Sequence, residues 1–165
     1  MIPQIDITIE APLPPRGKGR PRFGVVAGHA HAFTPAETRR WEAQLAGLAQ
    51  AQLPPSIIEG PVRVDILAVM PRTKELLAQS KRTGEWKHGV GLLWHTSRPD
   101  SDNIRKAVLD ALKSFWRDDS LVCSGDTMKV YAEATGRSRV VVRIRDERRN
   151  PEEKARELGL IPRNV

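Results

Sequence analysis

One stretch leaves this chain little freedom of architecture. Apolar residues fall at Ile104, Ala107, Val108, Ala111, Leu112 and Phe115, offsets of 0, 3, 4, 7, 8 and 11. That spacing follows the turn of an α-helix and gives it one core-facing stripe, which must be buried against another layer. Pro99 holds the chain extended ahead of the helix, and Asp100 can cap its start. At ~100° per residue, Asp102 and Lys106 stand side by side opposite the stripe, with Asp110 one turn further along. Arg117-Asp118-Asp119-Ser120 then forms a loop leading straight into a strand.

The layer that receives this helix is a sheet. Ile5, Ile7 and Ile9 alternate with Asp6, Thr8 and Glu10, the period of a half-buried strand. Pro61 to Met70 repeats the pattern with Val62, Val64, Ile66 and Ala68 on one face, and Pro71 ends it. Leu121–Cys123, Met128–Ala134 and Arg137–Arg145 read as further strands, the last two as a hairpin with arginines on one face. Phe23–Val26 and His31–Thr34 form a second hairpin around Ala27-Gly28. His29 and His31 share a strand face without an acid nearby and read as a surface pair. Thr34 followed by Pro35 and Glu37 starts a helix that runs to about Leu53, with Trp41, Leu45, Leu48 and Leu53 inward and Pro54-Pro55 as its stop. Residues 72–94 are expected to be mobile or inserted, with KELLAQSKR as a short helix. Asn150 caps a peripheral helix, NPEEKAREL. The expected fold is α+β: one domain, a mixed β-sheet packed with two main helices, over 1–147, with a C-terminal helical extension over 148–165.

Charge narrows the class. The 165 residues hold 27 Lys+Arg against 20 Asp+Glu, a net +7, which favours polyanionic partners because cation–phosphate contacts release counterions. Arg16, Lys18, Arg20 and Arg22 crowd into seven residues among prolines and glycines. Four like charges so close repel one another without an anion, so they are candidate DNA-phosphate contacts. Arg137, Arg139, Arg143 and Arg145 are weaker candidates. The single Cys123 builds neither an internal disulfide nor, alone, a zinc site. Met1 to Glu10 alternates instead of running apolar, and no window approaches the ~18 apolar residues of a membrane span. No membrane association and a cytoplasmic location are expected.

Within this basic chain the acids around the helix stand out. Taken singly, Asp100 is a cap, Asp102 a first-turn acid that complements the helix dipole, and Asp118-Asp119 a polar turn. If the loop folds back toward Asp102, several carboxylates crowd one site and repel by on the order of 1–4 kcal/mol per pair. A hard divalent cation removes that repulsion. Mg²⁺ takes one or two carboxylates plus water and phosphate oxygens, and a neighbouring lysine can stabilise charge developing on a phosphate.

DSDNIRKAVLDAL followed by FWRDDSLV closely resembles the RusA family of Holliday-junction resolvases, whose core reads D-x-D-N-x-x-K, then D-A-L, then D-D. The resemblance extends to a G-K-G-R-P-R loop, a strand ending in Met70-Pro71 and a basic segment after the core, over roughly Ile5 to Asp146. It implies a homodimeric crossover junction endodeoxyribonuclease, dependent on Mg²⁺ or Mn²⁺, that places paired nicks across branched DNA (four-way junctions) in recombination and repair. By position it makes Asp100, Asp102, Lys106 and Asp119 catalytic and gives the metal to Asp100, Asp102, Asp119 and Asp118, with Asp110 in support. A prophage setting follows by the same analogy.

Two rival readings have less behind them. Pro99-Asp100 suggests a PD-(D/E)xK nuclease, but the acid-x-lysine required downstream is absent. A non-catalytic nucleic-acid-binding protein accounts for the charge and leaves the acids without purpose.

Overall fold

Eight strands and three α-helices lie within residues 5–52 and 58–162, the parts that the computed structural model describes. In chain order they are β1 (Asp6–Ala11), β2 (Arg22–Val26), β3 (His29–Phe33), α1 (Ala36–Gln50), β4 (Val62–Met70), β5 (Leu93–Trp94), α2 (Ser101–Leu112), β6 (Val122–Ser124), β7 (Thr127–Tyr131), β8 (Arg139–Asp146) and α3 (Pro151–Glu157). Single 3₁₀ turns at Lys113–Phe115 and Asp119–Leu121 separate α2 from β6. No helix among the described residues is long and apolar enough to cross a membrane.

β4 is the centre of a six-stranded mixed sheet in the order β1-β8-β4-β7-β5, with β6 also on β4. Its inward residues Val64, Ile66 and Ala68 lie opposite Ile144, Val142 and Val140 of antiparallel β8, and these lie opposite Ile7, Ile9 and Ala11 of β1. The three strands therefore present one continuous apolar face. α1 and α2 cover it: Trp41, Leu45 and Ala49 from one helix, and Ile104, Ala107, Val108, Ala111 and Leu112 from the other, join the same core. The α2 stripe is buried as its spacing requires, and the fold is α+β.

Four expectations need correction. β7 and β8 do not form a hairpin, because β4 lies between them, antiparallel to β8 and parallel to β7. Adjacency in sequence favours a hairpin. However, Val69 on the second face of β4 is fully buried as well, so this strand belongs in the centre. Parallel pairing then requires a long crossover, which α2 supplies. The second correction is at α1, where the residue before the helix is Pro35, extended at φ −53 and ψ 141, and no side chain caps it. That extended residue puts Thr34 one position too early to cap. Leu53 and Pro54-Pro55 lie outside the described residues.

Residues 72–94 hold turns where a helix was expected, with an isolated bridge between Gln79 and Trp86. Nor is the segment loosely attached. Arg72, only 8% exposed, donates to the carbonyls of Ala132 (2.7 Å), Gly89 (2.9 Å), Leu76 (3.3 Å) and Gly91. One buried guanidinium thus does what apolar packing does elsewhere. α3 keeps its cap, Asn150 accepting from the Glu152 amide at 2.9 Å, and Lys154 pairs with Glu147 at 2.6 Å.

The edge of β4 carries β6 and then β7 in series, broken at Gly125. This glycine has φ +132, and a Cβ built on it would lie 1.8 Å from the Val64 carbonyl oxygen. Arg105 of α2 donates to the Val64 and Ser124 carbonyls at 2.9 and 3.2 Å, securing the helix at the same break. Gly125→Ala should cost about 3 kcal/mol or more, since left-handed strain and a backbone clash add. Urea unfolding checks this; an unchanged midpoint would mean that the break relaxes freely.

Candidate active site at the ends of helix α2

The start of α2 is held from three sides. Lys129 on β7 donates to the carbonyls of Ser97 and Pro99, both at 2.8 Å, fixing the approach to Asp100. Beside it the buried His95 donates its amide to Lys129 and sets its ring against Tyr131, centroids 4.6 Å apart. Burial, aided by the Lys129 charge, lowers the His95 pKa. On the other side the Lys18 amide donates to the Asn103 carbonyl at 3.0 Å. Gly17 sits so close that a Cβ there would lie 2.8 Å from both Pro99 and Asn103 side-chain atoms.

Asp100 occupies the cap position with extended backbone, yet its side chain makes no capping hydrogen bond. Its carboxylate is thereby free for a ligand. Asp102 lies in the first turn and Lys106 one turn on, all three exposed on the face away from the core. Among the described residues none of the three makes an ion pair or a side-chain hydrogen bond. In contrast, Asp6, Asp65, Asp110, Asp126, Glu133 and Glu147 each hold a cation. Asp100 and Asp102 thus differ from the majority of the chain's acids, which pair with a cation.

Asp118 and Asp119 stand beyond the other end of α2. Asp119 accepts from the indole nitrogen of the buried Trp116 at 2.9 Å. Asp118 accepts from the Ser120 amide at 2.8 Å, capping the 3₁₀ turn, and that hydrogen bond lowers its pKa. From Asp102 to the end of α2 the helical rise alone amounts to roughly 15 Å. The loop does not fold back: among the described residues no three His, Cys, Asp or Glu side chains converge on one point. The structure brings Asp100 and Asp102 together with Lys106 and leaves Asp118 and Asp119 apart.

The cationic loop also divides. Lys18, which was grouped with the phosphate contacts, places its ammonium between Glu42 (2.7 Å) and Asp110 (2.6 Å). Burial opposes its charge, but the two carboxylates prevail and raise its pKa. Arg16 pairs with Glu37, whereas Arg20 and Arg22 are exposed and make no ion pair among the described residues. The arginines of β8 are neutralised too. Arg143 meets Asp6, Arg145 meets Asp65, and Arg139 grips Glu133, whose pKa that hydrogen bond pulls down to about 2.

Residues 12–145 match the family model described as Endodeoxyribonuclease RusA. The chain belongs to the RusA endodeoxyribonuclease family. It is also 37% identical over 133 residues to the "Uncharacterized protein YqaN" of Bacillus subtilis (strain 168), covering 80% of this chain and 90% of that protein. The RusA match contains both aspartate pairs, Lys106 and the cationic loop, and leaves α3 outside. The protein is thus a nuclease by family.

Lys129 was invisible to pattern reading, since one lysine in TMKVY looks like the solvent side of a strand. As a RusA-family residue that positions the Asp100 backbone, it makes a specific prediction. Lys129→Met should lower DNA cleavage roughly tenfold, the cost of two charged-donor hydrogen bonds to the loop, with DNA binding and thermal midpoint nearly unchanged. Single-turnover cleavage beside a melting curve tests it, and full activity in the variant would refute the role.

Proposed function

We propose that the protein resolves four-way DNA junctions by paired symmetric nicks, as a homodimer using Mg²⁺ or Mn²⁺. The observation that carries this reading is the group Asp100, Asp102 and Lys106, exposed and, among the described residues, without ionic partners in the first turns of α2 in a basic chain of the RusA family. Two adjacent carboxylates fit Mg²⁺, which takes one or two and completes its shell with water and phosphate oxygens. Bound there, the ion would supply an activated water and Lewis acidity. Lys106, one turn away, would sit against the phosphate and stabilise its developing charge. Lys129 and the Lys18 amide hold the backbone that carries the aspartates, so the pair needs little rearrangement to receive its ligand.

Asp119 cannot join this group from its own chain while α2 stands between them. It joins from a second copy. In a two-fold dimer the D-D turn of each chain meets the D-x-D turn of the other, which gives two equivalent sites for the two cuts. The residues 1–147 then form the nuclease unit, and α3 lies outside the chemistry.

Mixing two inactive variants tests both points at once. Asp102→Asn and Asp119→Asn should each lose cleavage by a factor of ~10³ or more while binding junctions. Mixed heterodimers should regain one nicking site, because one composite site then has both native aspartates. A mixture as dead as its parents would place both aspartates of each site in one chain. Salt titration separates the loop cations. Arg20→Ala should reduce the salt slope of junction binding by about one. Lys18→Met should leave that slope alone and lose on the order of 1–2 kcal/mol of stability. The opposite pattern would return Lys18 to the DNA surface.

A further inference from the structure

The β2–β3 hairpin belongs to neither the sheet nor the core. Among the described residues it pairs with nothing but itself, and every residue in both strands is exposed except half-buried Gly24. The register places Phe23 opposite Ala32 and Val25 opposite Ala30, so one face of the ribbon is wholly apolar. Phe23 on that face is 81% exposed and Val25 74%. Phe33, on the other face, folds back over Gly24, where a Cβ would lie 3.0 Å from its ring. Phe23 has no such cover. A lone two-stranded ribbon is marginal in water, and a bare apolar face on one calls for a partner.

Charge decides which partner. From Ala11 to Ala36 the chain holds no Asp or Glu, while Arg20 and Arg22, both just ahead of Phe23 in the chain, make no ion pair among the described residues. A second copy would bring the same cations and repel them; a polyanion neutralises them. An exposed aromatic ring next to arginines without ionic partners among the described residues suits unstacked bases, the ring stacking and the cations holding phosphates. The hairpin is also rooted at the site, since the loop that leads into it bonds Asn103 through the Lys18 amide.

We infer that the β2–β3 hairpin is a DNA-entering arm, with Phe23 stacked on bases at the branch point of a junction and Arg20 and Arg22 on the adjoining phosphates. A branch point suits such an arm because its bases are the least costly to unstack. This inference rests on the junction-cutting reading above.

The test uses a four-way junction carrying 2-aminopurine beside the branch point, bound in EDTA so that nothing is cut. The wild-type chain should raise the emission several-fold. Phe23→Ala should abolish that rise and weaken junction binding roughly tenfold, with duplex binding and thermal midpoint unchanged; Phe23→Trp should preserve the rise. An undiminished rise in Phe23→Ala, with wild-type junction cleavage intact, overturns the arm alone. A Phe23→Ala chain that becomes monomeric in sedimentation, or melts markedly earlier, also overturns it by assigning Phe23 to a second copy or to its own fold. A wild-type chain that leaves the junction unbound removes the functional reading together with the arm.

Discussion

The ammonium of Lys18 is the point on which the functional end of the molecule depends. It joins Glu42 of α1 to Asp110 of α2, while its own amide bonds the first turn of α2. Three segments distant in sequence are thereby fixed to one another beside the sheet. The loop can then run close against Pro99 and Asn103, where only glycine fits at position 17. An interaction of this kind, half removed from water and satisfied by two carboxylates, contributes more to geometry than to net stability. What it fixes is the direction in which the hairpin leaves and the place from which Asp100 and Asp102 project.

Most of the fold was legible in the sequence because its signals were periodic. The α2 stripe, the inward face of β4 and the alternation in β8 each reproduce in burial what their spacing announced. What was not legible was adjacency. Nothing in TMKVY or RVVVRIR states that β4 will come between them, and short separation favours a hairpin until the burial of β4 on both faces is known. The segment after Met70 was opaque for a related reason. Its organiser is a buried arginine bound to four carbonyls, and arginine carries no sequence signal for burial.

Of the candidate site, the helix face was legible in the sequence and the arrangement of its acids was not. Spacing placed Asp102 and Lys106 on one face of a helix, and the structure agrees. The D-x-D and D-D pairs are close in sequence yet held apart by the rigid length of α2, so a carboxylate cluster imagined in one chain is not formed. Charge counting was similarly coarse. The net +7 suggests a broadly basic surface, whereas the arginines of β8 are matched to acids, and Arg20 and Arg22 are among the cations left without an ion pair among the described residues.

The pairing of β1 with β8 has a consequence for how the chain comes to be folded. Among the described residues the first strand finds its only sheet partner in the last, with Asp6 opposite Arg145, and β4 waits on the same strand for one of its two edges. During synthesis, neither β1 nor the core it roofs can settle until residues beyond 140 have emerged. Such contacts, far apart along the chain, make for slow and all-or-none assembly. A chain interrupted before β8 would retain an amphipathic α2 bearing its aspartates, but no finished sheet to hold them. By topology alone, an incomplete chain lacks the finished sheet on which α2 packs.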